Sequence, residues 1–159
     1  MRVRAMVLAL AFMAVPVLAA DVGQIKVANG GVQVERAGAR MKAQVGTGLQ
    51  AFDVLHTGAD GSVGLTFTDN SLLSIGPNSV FSIDKYLFDT TTHAGEFEGT
   101  LRQGRLAAVS GKMVKQSPET MKIRTPSSIM GVRGTEFVVE VLERKDDRRK
   151  EDRRKDERY

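Results

Sequence analysis

Residues 63–88 read VGLTFTDNSLLSIGPNSVFSIDKYLF, and this stretch decides the fold because apolar and polar side chains alternate along it. Such alternation is typical of short strands with one buried face. The turn sequences Thr-Asp-Asn-Ser and Gly-Pro-Asn-Ser separate the alternating stretches. Because Gly and Asn readily adopt the left-handed backbone that reverses a strand, the segment predicts consecutive strands joined by tight turns.

The same pattern continues in both directions from this stretch, over residues 22–141. Strands are predicted at residues 23–27, 31–36, 63–67, 72–75, 80–88, 95–101, 105–109, 121–124 and 136–142. No helical periodicity competes with them, so no helix is predicted in this region. Strands that recur about every ten residues predict an all-β fold, either a solenoid-like roll of short strands or a sandwich.

The N-terminal end has the pattern of a secretory signal peptide over residues 1–20. Two arginines precede an apolar stretch that is shorter than the roughly 20 residues of a membrane-spanning helix, and small residues follow it. We expect cleavage after Ala19 or Ala20, which leaves a β domain at residues 21–142 in the periplasm or secreted. An uncleaved membrane anchor is the less favoured interpretation, so no transmembrane segment is expected in the mature chain.

Residues 143–159 form a tail with nine basic and seven acidic residues and no apolar side chain before Tyr159. A segment of this composition cannot contribute to a core, which predicts disorder or a marginal helix. An electrostatic tether to anionic lipid or polysaccharide is the alternative interpretation.

Charge and cysteine content exclude several function classes. The net charge of +4 comes from the two ends, and the body between them carries equal numbers of basic and acidic residues. A neutral body lacks the one-sided basic surface that nucleic-acid binding requires. The chain has no Cys, which excludes disulfides, thiol catalysis and Cys-ligated metals. No cofactor is predicted.

No catalytic or metal-binding set can be identified from sequence spacing. His56 and His93 have no acidic or His partner at close spacing, so they are interpreted as surface or strand-end residues. Ser79, Ser82 and Ser110 lie in no Gly-x-Ser-x-Gly turn. The chain is therefore predicted to be non-enzymatic.

Four carboxylates are scattered along the strands at Asp53, Asp60, Asp69 and Asp84, without the loop spacing of a calcium site. Turn capping is the favoured role for Asp60, which is followed by Gly61, and for Asp69, which is followed by Asn70. A glycosidase-type carboxylate pair stays open at this point, because such pairing is a spatial property.

Residues 123–137 form the most unusual stretch of the chain. Pro126 favours an extended Thr125, and Gly131 and Gly134 are expected to free the backbone around Arg133. We expect Arg133 to be a buried, fully hydrogen-bonded residue that ties a strand to its neighbours, with a ligand-facing arginine as the alternative.

The ordered series of these motifs over residues 22–141 resembles the FecR domain family. The motifs that carry the resemblance include Asp53-Val-Leu-His-Thr-Gly58, Asp60-Gly-Ser, Phe67-Thr-Asp-Asn-Ser-Leu, Gly76-Pro-Asn-Ser, Thr125-Pro and Gly131-Val-Arg-Gly-Thr-Glu-Phe137. Residues interpreted as fold-defining or as possible contacts are Asp53, Gly58, Asp60, Gly61, Asp69, Pro77, Thr125, Pro126, Gly131, Arg133, Gly134 and Thr135.

The resemblance implies a periplasmic all-β domain, named after a regulator that relays iron-citrate uptake signals from an outer-membrane transporter to a sigma factor. That regulator carries an anti-sigma segment and a transmembrane helix ahead of the domain, where this sequence shows a signal peptide. We therefore expect a stand-alone, non-enzymatic binding or scaffold domain of the cell envelope, with a protein or glycan partner. The alternative is a sensor subunit of a transmembrane signalling pathway linked to a transporter or cyclase. Neither the partner's identity nor the oligomeric state is predicted.

Overall fold

The computed structural model describes residues 19–134 and 136–142, and this part of the chain is mostly β structure. The strands are β1 (Gly23–Asn29), β2 (Val32–Arg36), β3 (Ala39–Lys42), β4 (Gly48–Leu49), β5 (Val54–Thr57), β6 (Ser62–Phe67), β7 (Leu72–Ile75), β8 (Val80–Phe88), β9 (Gly95–Val109), β10 (Met121–Arg124), β11 (Ile129–Gly131) and β12 (Glu136–Val141). A short helix, α1 (Lys112–Gln116), follows β9. The predicted all-β fold is confirmed.

The strands form one sheet in the order β3-β2-β5-β8-β9-β7-β6-β1-β4, which curls into a half-barrel. This shape is nearer to the predicted roll than to a sandwich. All pairs are antiparallel except β9 with β10. The 15-residue strand β9 organises the sheet, because it pairs with β8 and β10 along its first part and with β7 and β12 along its second.

The core lies inside the curl and follows the predicted alternation. In β6, the side chains of Val63, Leu65 and Phe67 are buried while the residues between them are half-exposed. Phe67 also packs against Tyr86 and Phe97, with ring centroids 5.3 and 4.9 Å from its own. Burial of each large apolar side chain stabilises the fold by about 1.5–3 kcal/mol.

The predicted turn chemistry is present at both turns of the opening stretch. Asn70 and Asn78 adopt the left-handed conformation, with φ values of 67° and 50°. In the second turn, Pro77 precedes Asn78, and its carbonyl oxygen accepts a hydrogen bond from Ser79 Oγ. A proline followed by a left-handed Asn is the sequence preference of a type II turn.

The prediction differs from the structure in three respects. Strands β3, β4, β5 and β11 were missed; of these, β4 and β11 have only two and three residues, which is too short for alternation to be recognised. The two strands predicted at residues 95–101 and 105–109 are one strand, β9, because Gly104 carries the chain through a left-handed position with φ +89°. Helix α1 was not predicted, because five residues cannot display a helical period.

Several expectations fall on residues outside the described part of the chain. These are the signal peptide through residue 18, the tail at residues 143–159, and Thr135. Within the described part, no helix is long and apolar enough to cross a bilayer.

Candidate functional site

The segment singled out by the sequence forms a hairpin followed by an edge strand. Strands β10 and β11 pair in register Arg124↔Ile129, and the turn between them is closed by Thr125. The Thr125 amide donates to the carbonyl of Ser128 at 2.8 Å, and Thr125 Oγ1 accepts from the Ser128 amide at 3.1 Å. Pro126 lies inside this turn, so Thr125 and Pro126 shape the hairpin that precedes β12.

Strand β12 pairs with β9 over its whole length, from Glu136↔Val109 to Val141↔Gly104. Within the described residues, no strand lies on its other side. We call this unpaired side of Glu136–Val141 the β12 edge. The backbone amides and carbonyls that point toward such an edge are available to pair with another chain.

The β12 edge differs from the other strands that pair on one side only, which are β3, β4 and β11. Strand β3 carries Arg40 and Lys42, and basic side chains on an edge discourage pairing with a further strand. Strands β4 and β11 have two and three residues, whereas β12 has six, four of them apolar. Among these four strands, β12 is therefore the best template for an added strand.

A groove of about 330 Å³ runs beside the β12 edge, between β12 and the segment that contains β11. We call it the edge groove. Its apolar lining comprises Met130, Val132, Phe137, Val138 and Val139, with Arg133 and Glu136 also contributing to its wall. The Val132 amide donates to the carbonyl of Met121 at 2.9 Å, which fixes this wall to β10.

A second depression, of about 510 Å³, also takes part of its lining from the loop that follows β11. It is lined by Ser110, Val114, Lys115, Pro118, Arg133 and Gly134. Ser110 Oγ donates to the carbonyl of Gly134 at 2.5 Å and holds the loop against the end of β9. Arg133 and Gly134 are common to both depressions, so this loop contributes to two concave surfaces.

The expectation of a buried Arg133 is wrong. Its side chain is 72% exposed and forms an ion pair with Glu119, which is also exposed. The loop lies outside the strands, so the guanidinium reaches water and needs no buried acceptors. Gly131 and Gly134 also differ from expectation, because neither has a positive φ and a Cβ at either position would meet open space.

Asp53 is a buried partner of Arg36 and ties the turn before β5 to the end of β2. Its two carboxylate oxygens accept hydrogen bonds from Arg36 Nε at 2.8 Å and Arg36 Nη2 at 2.7 Å. The backbone amide of Gln50 donates a third bond at 2.8 Å. Hydrogen bonding to Asp53 raises the pKa of the Arg36 guanidinium above its ordinary value. This geometry gives Asp53 a structural role.

Asp69 caps its own turn, as the sequence suggested. Its carboxylate accepts from the Ser71 amide at 3.0 Å and the Ser71 hydroxyl at 2.7 Å. The Tyr86 hydroxyl donates to Asp69 Oδ1 at 3.2 Å and accepts from the Asp69 amide. Burial is the main cause that raises the pKa of Tyr86 to about 12.

Gly58, Asp60, Gly61 and Pro77 come together at one end of the sheet. Asp60 Oδ1 accepts from the Gly31 amide at 3.2 Å, and the Gly58 carbonyl accepts from the amide that follows Pro77. A Cβ on Gly61 would lie 2.5 Å from the Gly31 carbonyl oxygen, so this position requires glycine because of close approach. The cluster closes turns and lies in neither the edge groove nor the second depression.

His56 has a carboxylate partner that sequence spacing did not reveal. Its Nε2 lies 3.1 Å from Glu35 Oε2, and Glu35 also pairs with Arg40 at 2.9 Å. Hydrogen bonding to Arg40 is the main cause that lowers the pKa of Glu35. The contact between His56 and Glu35 arises because β2 pairs with β5, with Gln33 opposite His56 and Glu35 two residues further along β2.

No His, Asp and Glu residues in the described part of the chain form a group of three that could hold a metal ion. Ser79 Oγ donates to the Pro77 carbonyl, Ser82 Oγ to Asp84, and Ser110 Oγ to the Gly134 carbonyl. None of these hydroxyls is directed at a described histidine.

The fold and this surface define an all-β domain with a curled sheet and an open edge strand. A family model described as FecR protein matches residues 53–151, and the chain belongs to the FecR family. Every residue interpreted from the sequence as fold-defining lies inside that range. Membership indicates a signalling-related sensor or regulatory role. No curated protein and no solved structure gives a significant match to the chain.

The match begins at Asp53, although the sequence resemblance was drawn from residue 22. The earlier strands are nevertheless part of the same sheet. Strand β1 pairs with β6 and β2 pairs with β5, so residues before the matched range complete the core of the domain.

Proposed function

We propose that this chain is an exported, non-enzymatic recognition domain that acts in a signalling pathway by binding a protein of the cell envelope. The FecR family supports the signalling part of the proposal. The signal-like sequence at residues 1–20 supports export to the periplasm or beyond. The observation that carries the binding part is the β12 edge.

Strand addition is the binding mode that this surface favours. An extended segment laid along Glu136–Val141 would form backbone hydrogen bonds to β12, and its side chains could enter the edge groove. Val138 is 53% exposed and Val139 is 7% exposed, so β12 presents an outer face to water and an inner face to the core. A strand bound there would extend the sheet beyond β12.

A protein partner fits the β12 edge better than a glycan. The apolar lining of the edge groove is aliphatic except for Phe137, and the whole chain contains no Trp. Amphipathic aromatic rings, which present an apolar body and a polar tip, are scarce here. An open strand edge, by contrast, offers the backbone groups that another polypeptide can use.

The hydrogen bonds of the polar side chains in the described residues support binding without catalysis. The hydroxyls of Ser79, Ser82 and Ser110 donate to carbonyls and a carboxylate, and His56 lies in a partly exposed set of charges on β2, β3 and β5. Nucleophilic catalysis would need a hydroxyl within hydrogen-bond reach of a base that a third group orients.

Photocrosslinking in intact cells tests the proposal. A photoreactive amino acid replaces Val138 on β12 of the full-length protein, and crosslinked proteins are identified by mass spectrometry. We expect capture of an envelope protein that belongs to a signalling system. A transporter or a membrane cyclase would show in addition that the chain is a sensor subunit.

The matched control places the same probe at Met41, an apolar side chain of the sheet that is 40% exposed. Met41 lies on β3, which is separated from β12 by strands β2, β5, β8 and β9. Equal capture from both positions, or capture of cytoplasmic proteins alone, would contradict the proposal. A parallel experiment with a chain that ends at Leu142 shows whether residues 143–159 contribute to the contact.

A further inference from the structure

We infer that the segment recognised at the β12 edge is an extended protein strand in which basic residues alternate with apolar residues. This inference rests on the strand addition proposed above and adds the chemistry of the partner. It follows from the different character of the two faces of β12.

The outer face of β12 is acidic. Glu136, Val138 and Glu140 are exposed and lie on the same face of the strand. Neither glutamate forms an ion pair with a basic side chain of the described residues. An added strand would place its own side chains directly opposite these carboxylates, where an opposite charge is favourable and a like charge is not. Lysine or arginine at alternate positions therefore fits this face.

The inner face of β12 is apolar. Phe137 and Val141 are half-buried and Val139 is buried, all on the side that faces the core. Phe137 and Val139 of this face line the edge groove together with Met130 and Val132, and Glu136 and Val138 of the outer face also contribute to its lining. The apolar side chains of an added strand would lie against the apolar part of this lining. Aliphatic residues at the remaining alternate positions would cover this lining and remove it from water.

A second copy of this chain is a poorer occupant of the edge. Antiparallel pairing of β12 with itself would bring Glu136 and Glu140 of both copies onto one face. Four carboxylates on a single face of a two-strand ribbon repel one another. Homodimerisation through β12 is therefore disfavoured by charge.

Residues 143–159 of the same chain are also a poorer occupant. They are rich in basic residues, which suits the outer face, but they contain no apolar residue before Tyr159. Such a segment cannot cover the aliphatic lining of the edge groove. The observations favour a separate protein whose strand carries both kinds of side chain.

Peptide binding to the purified mature protein, measured by fluorescence anisotropy, tests the inference. The probe is a short peptide in which lysine and valine alternate. Its control has the same composition with the lysines grouped in a block. We expect the alternating peptide to bind more tightly, and the double variant Glu136→Gln/Glu140→Gln to weaken it about two- to thirtyfold through loss of two cross-strand charge pairs.

A matched variant, Asp21→Asn/Glu35→Gln, removes the same amount of charge elsewhere. Asp21 precedes β1 and Glu35 lies on β2, and β1 and β2 are each separated from β9 by two strands. Binding to this variant should be unchanged within about twofold, since cross-strand pairing is local. The charge-reversed variant Glu136→Lys/Glu140→Lys should instead prefer a peptide in which glutamate and valine alternate.

Backbone N-methylation of the peptide separates strand pairing from general charge attraction. In an antiparallel pair, only alternate residues direct their amides at the neighbouring strand. Methylation of one alternate set should abolish binding, and methylation of the other set should leave it intact. Equal effects of both sets, equal binding of the block peptide, or no binding by folded wild-type protein would overturn the inference.

The inference can fail while the proposed function survives. If the probe at Val138 captures an envelope signalling protein but the alternating basic peptide shows no preference, the β12 edge binds a partner of other chemistry. If binding appears only in a chain that ends at Leu142, residues 143–159 occupy the edge and the inference is wrong. Failure of both the crosslinking and the peptide experiments would reject the site itself.

Discussion

Replacing Asp53 with asparagine tests whether this residue stabilises the fold or contacts a partner. Asp53 is fully buried, and its carboxylate accepts two hydrogen bonds from Arg36 and one from the amide of Gln50. Asparagine keeps the shape but turns one oxygen into an NH₂ group, which donates and cannot accept. At least one of the three donors therefore loses its acceptor.

The magnitude follows from this loss. A buried donor left without a partner costs about 1–3 kcal/mol. Removal of the negative charge also weakens the attraction to Arg36, although 29% exposure of the Arg36 side chain makes this part smaller than in a fully buried pair. We expect Asp53→Asn to lower the free energy of unfolding by about 2–4 kcal/mol, a large fraction of the stability of a single domain.

Urea unfolding followed by circular dichroism measures the change, with Asp60→Asn as the control. Asp60 is exposed and accepts a single hydrogen bond from the Gly31 amide at 3.2 Å, so its replacement should cost less than about 1 kcal/mol. Equal midpoints for the two variants would refute the structural role of Asp53. A double-mutant cycle adds Arg36→Met, which should cost less in the Asp53→Asn background than in the wild-type protein, because only the part of its cost that comes from the bond of Arg36 to the Gly48 carbonyl is independent of Asp53.

Three other substitutions test the backbone at Gly104, the burial of Tyr86 and the exposure of Arg133. Gly104→Ala should lower the free energy of unfolding by about 2–4 kcal/mol, because φ is positive and the new Cβ would overlap with Ser79. Gly38→Ala is the control in the same urea assay. It should cost only about 1 kcal/mol, because φ is also positive there but the Cβ would meet open space. Burial favours the neutral phenol of Tyr86, so the contribution of Tyr86 to stability should be constant below pH 10 and be lost as the pH rises through its pKa of about 12. Tyr86→Phe should abolish the absorbance step at that pH. Arg133→Ala should change stability by less than about 0.5 kcal/mol because the side chain is exposed, and a loss above about 1 kcal/mol would contradict that placement.

Sequence alone predicted those parts of the fold in which local patterns and local physics agree. The strands at Leu72–Ile75, Val80–Phe88 and Met121–Arg124 have the predicted bounds. The turn before Leu72–Ile75 uses a left-handed Asn70, and the turn between this strand and Val80–Phe88 uses a left-handed Asn78, as expected. In each case, side-chain alternation and turn chemistry act over a few neighbouring residues, so the sequence displays them directly.

The candidate site could not be predicted in the same way, because it depends on which strands become neighbours. The acidic and apolar faces of β12 can be seen in its sequence, but its free edge arises only from the order of strands in the sheet. The contact between His56 and Glu35 likewise requires β2 to pair with β5. Arg133 was expected inside because apolar residues surround it in sequence, yet the loop carries it into solvent.

Amide hydrogen exchange along β12 in the purified full-length protein tests whether the β12 edge is open and binds the partner. If the β12 edge is open, alternate amides of Glu136–Val141 are bonded to β9 and exchange slowly, while those between them exchange quickly. The quickly exchanging amides should become protected when the crosslinked partner is added. Uniform slow exchange along β12 in the free protein would show that the edge is already occupied, and unchanged exchange after the partner binds would place the contact elsewhere.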